Sequence, residues 1–146
     1  MSLPQSETKT VWIDGVDTNG ICQKVPQQIP VPPIDPKTDI RCYVMANVEL
    51  PPIHAGIQAS HALADLVHFN QTVPILKEWM EKHKTLVLLS ANSEQMIEMR
   101  KYFSSKGMAY ASFLEPDLDN METAIAFQPV DVLEGKVLFG KFKLFK

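Results

Sequence analysis

Cys42-Tyr43-Val44-Met45-Ala46, a short proline-containing link, and then Gly56-Ile57-Gln58-Ala59-Ser60-His61-Ala62 form the stretch on which the fold turns. The first run is almost continuously apolar, as a strand covered on both faces requires. The second opens a helix over Ala55 to Phe69, in which Ala59, Leu63, Leu66 and Val67 recur at helical spacing. In α/β proteins, ligand chemistry gathers where such a strand passes into such a helix, at the strand's carboxyl end. Small residues let the helix lie close to the sheet. Gln58 and His61 are thereby predicted to sit near that strand end.

Outward from this unit the pattern keeps alternating. Pro74 suits the first turn of a second helix, whose stripe is Ile75, Leu76, Trp79 and Met80. Leu86-Val87-Leu88-Leu89 reads as a second buried strand. Asn92 and Gln95 have the spacing of a capping box, Met96, Met99 and Phe103 form one helical face, and Gly107 stops that helix. Met108 to Leu114 and Thr123 to Phe127 read as two further strands, with Leu138 to Phe145 a lysine-guarded edge strand. The order predicts an α/β three-layer sandwich: a small mixed sheet of about four strands with helices on both faces.

Residues 1–39 differ in character. They hold six of the eleven prolines, which remove amide donors and exclude helix and central strand. We expect a proline-rich extended arm over 1–39, with Val11-Trp12-Ile13 as a short edge strand or an anchor through Trp12, ahead of an α/β domain over 40–146. No apolar run reaches the roughly 20 residues of a membrane helix, and the N-terminus carries no secretion signal. Cys22 and Cys42 lack metal-like spacing. A cytoplasmic protein is the default expectation.

A net charge of −3 argues against a broad nucleic-acid surface, which needs clustered cations. Two local clusters remain: Lys136, Lys141, Lys143 and Lys146, and Lys82, Lys84, Arg100, Lys101 and Lys106. Solvated faces are the plainer reading of both.

Ile53-His54-Ala55-Gly56-Ile57-Gln58-Ala59-Ser60-His61-Ala62, read with Glu115-Pro116-Asp117 and Thr123-Ala124-Ile125-Ala126-Phe127, resembles the second (archaeal and eukaryotic) type of peptidyl-tRNA hydrolase. That family reads Gly-Lys-x-Ala-Ala-Gln-x-Ser/Ala-His-Ala after its first strand, so Gln58, Ser60, His61 and Ala62 match in order and spacing. Its Asp-Ala-Gly-x-Thr loop aligns with Glu115-Pro116-Asp117, and the threonine opening its last core strand matches Thr123. Two positions depart: His54 stands where the family has its catalytic lysine, and Ile53 where it has glycine.

The resemblance implies hydrolysis of the ester in peptidyl-tRNA or a related acyl-tRNA by an activated water. His54, Gln58, Glu115 and Thr123 would be the catalytic residues, with His61 and Asp117 as further candidates. Glu115 would orient the water, a cation at position 54 would stabilise developing negative charge, and Gln58 and Thr123 would donate hydrogen bonds. The implied partner is the tRNA acceptor end, with no membrane and no cofactor or metal; a homodimer could form with the arm contributing. The alternative is a catalytically inactive module on the same fold that binds an RNA end or a protein. A third possibility is an interaction protein assembled through its arm.

Plainer readings exist for these residues too. His61 also suits a satisfied interior position, and Gln58 could cap a strand-end carbonyl. His54, His61 and His68 share a helix face, but a seven-residue step exceeds 10 Å, too far for metal ligands to converge unaided. Asp117, Asp119, Asn120 and Glu122 lack the glycine and the spacing of a calcium loop and read as a solvated turn.

Overall fold

The computed structural model describes residues 8–16, 22–30 and 38–146. Thr8–Val16 (β1) and Cys22–Pro30 (β2) pair antiparallel as a two-stranded sheet of their own. A two-stranded ribbon leaves each strand one unpaired side, which lets Pro26 and Pro30 sit within it. Anchoring through Trp12 concerns a side chain outside the described residues.

The domain proper follows as Ile40–Asn47 (β3), Pro52–Phe69 (α1), Pro74–Glu78 (α2), Leu86–Ala91 (β4), Ser93–Ser105 (α3), Tyr110–Glu115 (β5), Met121–Phe127 (β6), Val130–Asp131 (β7), Val132–Phe139 (α4) and Lys143–Leu144 (β8). The strand order is β5-β6-β3-β4-β8, with β7 pairing the start of β3. β3 and β4 are parallel, and every other pair in this sheet is antiparallel.

Alternation along the central strands sets the layers. Cys42 and Val44 of β3, with Ala124 and Ala126 of β6, pack under α1 and α2 through Ala59, Ala62, Leu66 and Leu76. Tyr43, Met45, Ile125 and Phe127 point the other way, onto Met96, Met99 and Phe103 of α3 and Phe139 of α4. Under α1 the contact is largely alanine on alanine, which brings the helix close to the sheet. Cys42, fully buried, donates its thiol to the Phe127 carbonyl at 3.4 Å; burial pushes its pKa up to about 12, so it stays an unreactive thiol.

The sheet has six strands, not about four, because two-residue strands too short to leave a sequence pattern complete it. Most of the expected edge strand Leu138 to Phe145 is not strand: Leu138 and Phe139 close α4, and only Lys143–Leu144 pair, with Leu89 and Ser90. Asp131 starts α4 by accepting from the Glu134 amide at 2.8 Å. Gly135 lets that helix press on Tyr43, whose ring a Cβ would strike. β4 is less buried than its apolar run suggests, with Leu86 47% exposed, because β8 covers only its far end. The second helix is short and continues as a π-helical turn over Trp79–His83, closed by Lys84 at φ 61°. The capping box at Asn92 and Gln95 is present, and Gly107 follows α3 at φ 65°.

Candidate functional site

α1 begins without a side-chain cap, on Pro51 and with proline in its first turn, so the Pro51-Pro52 pair fixes where the helix leaves the β3 end. His54, Gln58 and His61 then fall at i, i+4 and i+7 and share one helical face. Gln58 is buried at 8% exposure, whereas His54 and His61 are exposed.

β6 reaches the same place through a bulge. Phe113 pairs with Ala124 and Leu114 with Glu122, so Thr123 has no partner across the ladder. Simple alternation would turn Thr123 toward α3 together with Ile125. The bulge reverses it, placing Thr123 under α1, while Glu122 turns to Arg100 of α3 and pairs with it. Thr123 is completely buried.

Three of the four principal candidates are thereby joined. The Thr123 hydroxyl donates to Gln58 Oε1 at 2.7 Å, and Gln58 Nε2 donates to Glu115 Oε2 at 2.8 Å. The polarity of this chain is fixed by chemistry. A carboxylate can only accept, so the amide nitrogen faces Glu115, its oxygen faces Thr123, and the hydroxyl must donate. The Phe113 carbonyl lies 3.4 Å from the same hydroxyl and is the weaker acceptor.

Glu115 closes β5 and opens a 3-10 turn, Pro116–Leu118; its Oε1 accepts from the Asp117 amide at 3.3 Å. The Gln58 hydrogen bond, then that backbone amide, hold its pKa below the usual glutamate value, with a smaller contribution from the charge of His61 outweighed by some desolvation. Asp119 and Asn120 take left-handed φ values of 54° and 58°, which Asp and Asn tolerate, and the Asn120 amide closes the turn on the Glu115 carbonyl. This tight turn carries the chain from the end of β5 at Glu115 directly into β6 at Met121.

The other candidates lie at the rim. His61 is not interior: it is exposed and stacks on Phe113, with ring centroids 4.6 Å apart. Asp117 contributes its amide, not its carboxylate, to Glu115. His54 lies one helical turn before Gln58 and makes no side-chain hydrogen bond among the described residues. No group of three or more His, Cys, Asp or Glu among the described residues could hold a metal ion. Sequence reasoning missed Asn47, which is 3% exposed: its Oδ1 accepts from the Glu49 amide and its Nδ2 donates to Ser93, tying the β3 end to the start of α3. An Asn just ahead of a Pro-Pro turn was the available signal.

With this arrangement at the carboxyl end of β3 and β5, the family description peptidyl-tRNA hydrolase PTH2 matches residues 44–145, from within β3 through β8. The chain belongs to that family. No curated protein matches it. A solved protein of unknown function from Agrobacterium tumefaciens strain C58 is similar in fold, with a TM-score of 0.53 and 12% identity, over 74% of this chain and 98% of that one. No helix among the described residues is long and apolar enough to cross a membrane.

Proposed function

We propose that this protein hydrolyses the ester joining a peptidyl or related acyl group to the end of tRNA, in the crevice between the start of α1, the end of β5 and the start of β6. The observation that carries this reading is the Thr123–Gln58–Glu115 chain, a buried and fully oriented donor-acceptor relay ending on an ionised carboxylate. Membership of the PTH2 family supports it.

Glu115 is a weak base, because the hydrogen bonds that lower its pKa also lower its proton affinity. Its part is to hold and orient the attacking water, accepting the proton as the C–O bond forms. The other N–H of Gln58 is left to steady that water or the carbonyl oxygen. The ester oxygen on the ribose then leaves with a proton, and His54, on the same helical face as Gln58, is the group to supply it. An ester is already activated, so a modest set of groups suffices.

The exposed and unbonded state of His54 also favours a second reading, a module that binds the acceptor end without cleaving it. Peptidyl-tRNA turnover by the wild type, His54→Ala and His54→Lys proteins separates the two. Hydrolysis requires His54→Ala to lose on the order of 10²-fold or more and His54→Lys to keep or raise the rate. Wild-type protein that binds the acceptor end with no turnover above buffer would leave the binding module.

A further inference from the structure

A second recess of about 280 Å³ opens on the same edge of the sheet, lined by Ser90, Asn92, Gln95, Lys141, Phe142 and Lys143 among others. The Thr123–Gln58–Glu115 chain takes no part in it. Its charge is unusual for this protein. The chain carries 17 acidic and 14 basic residues, yet residues 135–146 hold four lysines and no acid. Elsewhere, Arg41, Lys82 and Arg100 each pair with a carboxylate, while Lys84, Lys101 and Lys106, with no ion pair among the described residues, lie outside the recess. Lys141 and Lys143 form no ion pair among the described residues; Lys141 stands 5.3 Å over the Phe142 ring.

The remaining lining directs attention to the lysines. The side chains of Asn92 and Gln95 are engaged with each other's backbone amides in the capping box at the start of α3. That helix end therefore has its capping needs met from within the chain. Ser90 lies on the floor, its hydroxyl 3.5 Å from the Lys143 carbonyl. Two unneutralised ammonium groups on a polar floor form a receptor for anions spaced along a chain.

Strand register connects this recess to the crevice. Phe113 lies opposite Ala124, Ala124 opposite Ala46, Ala46 opposite Ser90, and Ser90 opposite Lys143, a single row running across five strands. From Ala124, next to Thr123, to Lys143 is three strand spacings, about 14 Å at roughly 4.8 Å each. The loops leaving β3 and β4 turn to helices on opposite faces, and the carboxyl edge between them is bridged at its base by the Val48 amide on the Ala91 carbonyl and by Asn47 on Ser93. A few nucleotides of an extended strand span such a distance.

We propose that Lys141 and Lys143, over the Ser90 floor, form a phosphate-binding groove for the backbone of the RNA strand whose 3′ end enters the Glu115 crevice. This rests on the RNA-ester function proposed above. The groove also reconciles an acidic protein with an RNA substrate, because the contact needs only a short basic track and not a basic surface.

The test is binding of a deacylated RNA hairpin with a single-stranded 3′ end to the full chain, followed by fluorescence anisotropy across a salt series. Each phosphate contact contributes about 0.7 to 0.9 to the slope of log K against log salt. Lys141→Ala/Lys143→Ala should therefore lower the slope by about 1.4 to 1.8. Lys141→Arg/Lys143→Arg should restore it, and Lys101→Ala/Lys106→Ala should leave it unchanged. The proposal is overturned if the alanine pair binds with the wild-type slope, if the Lys101/Lys106 variant loses as much, or if the wild type does not bind the hairpin. Aggregation of the alanine pair with its slope intact would show that these lysines only guard the β8 edge. Because the hairpin carries no acyl ester, inactivity toward peptidyl-tRNA would sink the hydrolase function and leave the groove standing, while an unchanged slope beside full turnover would do the reverse.

Discussion

Replacing Thr123 with valine should reveal whether the three-residue relay is one unit. Valine keeps the shape of threonine and suits a strand, so packing in the bulge is preserved. What disappears is the hydroxyl that donates 2.7 Å to Gln58 Oε1. Thr123 is completely buried and Gln58 is 8% exposed, so no water readily replaces that donor. An orphaned buried acceptor costs roughly 1–3 kcal/mol, which urea unfolding at pH 7 would read as a lower midpoint at unchanged m. A second effect should travel along the chain. The Gln58 amide loses the contact that fixes its orientation, and its hydrogen bond is the largest reason the Glu115 pKa is low. Carboxyl NMR of Thr123→Val should therefore show Glu115 titrating nearer the ordinary glutamate range. Thr123→Ser keeps the donor, loses one methyl worth about 0.8 kcal/mol, and should leave Glu115 where it is. The double variant Gln58→Leu/Thr123→Val, with both partners removed, should be less destabilised than the sum of the singles. A stability change for Thr123→Val within about 0.5 kcal/mol, with Glu115 titrating as in the wild type, would refute the relay.

Gly56 lies inside α1 with nothing within 4 Å of where a Cβ would be, so Gly56→Ala should stabilise the fold by roughly 0.5–1 kcal/mol; a lower melting temperature in a thermal scan would contradict this. Glu115→Gln should narrow its stability gap to the wild type on acidification. Because the folded-state pKa is lowered, the stabilising contribution of the carboxylate is complete above the ordinary glutamate range and is lost as pH falls through the folded pKa. Urea midpoints measured between about pH 7 and pH 3 that keep a constant gap would count against the ionised Glu115.

The parts of this fold legible in the sequence are those written in local pattern. The run Cys42 to Met45, the stripe of α1, the Asn92–Gln95 cap and the stop at Gly107 each follow from periodicity or from capping chemistry that acts within a few residues. The illegible parts depend on partners distant in sequence. Val130–Asp131 and Lys143–Leu144 become strands only because β3 and β4 offer unpaired edges to them. α4 lies mostly ahead of the stretch whose lysines and aromatics alternate as an edge strand would, and only its last two residues, Leu138 and Phe139, overlap it. The site divides along the same line. Gln58 and Thr123 could be marked by resemblance, but their hydrogen bond requires a bulge that reverses Thr123, and the bulge leaves no mark in a seven-residue strand of otherwise regular character. His61 reads equally well as an interior residue, because a helix pattern alone does not say how far the sheet extends beneath it. Phe113, 4.6 Å from its ring, turns out to be the edge of that cover.

The bulge and the histidine at position 54 bear on one another. Burial and orientation in this site are concentrated at Thr123 and Gln58, whose bonds run toward Glu115 and stop there. Nothing comparable holds position 54, which lies on the first turn of a helix entered through two prolines and without a side-chain cap. A rigid base of the crevice beside a free rim is what a site needs if one group must be aligned before substrate arrives and another must move a proton after it. Lysine at the rim would add a flexible ammonium that only donates; histidine adds a planar ring with two distinct nitrogens. If His54 moves that proton, His54→Gln, which keeps a donor and an acceptor at the rim but cannot pass a proton, should lose turnover as His54→Ala does while keeping its fold by circular dichroism. The departure from the family's lysine thus bears on proton transfer at the rim rather than on the fold, and a His54→Gln protein that kept the wild-type rate would sink that role.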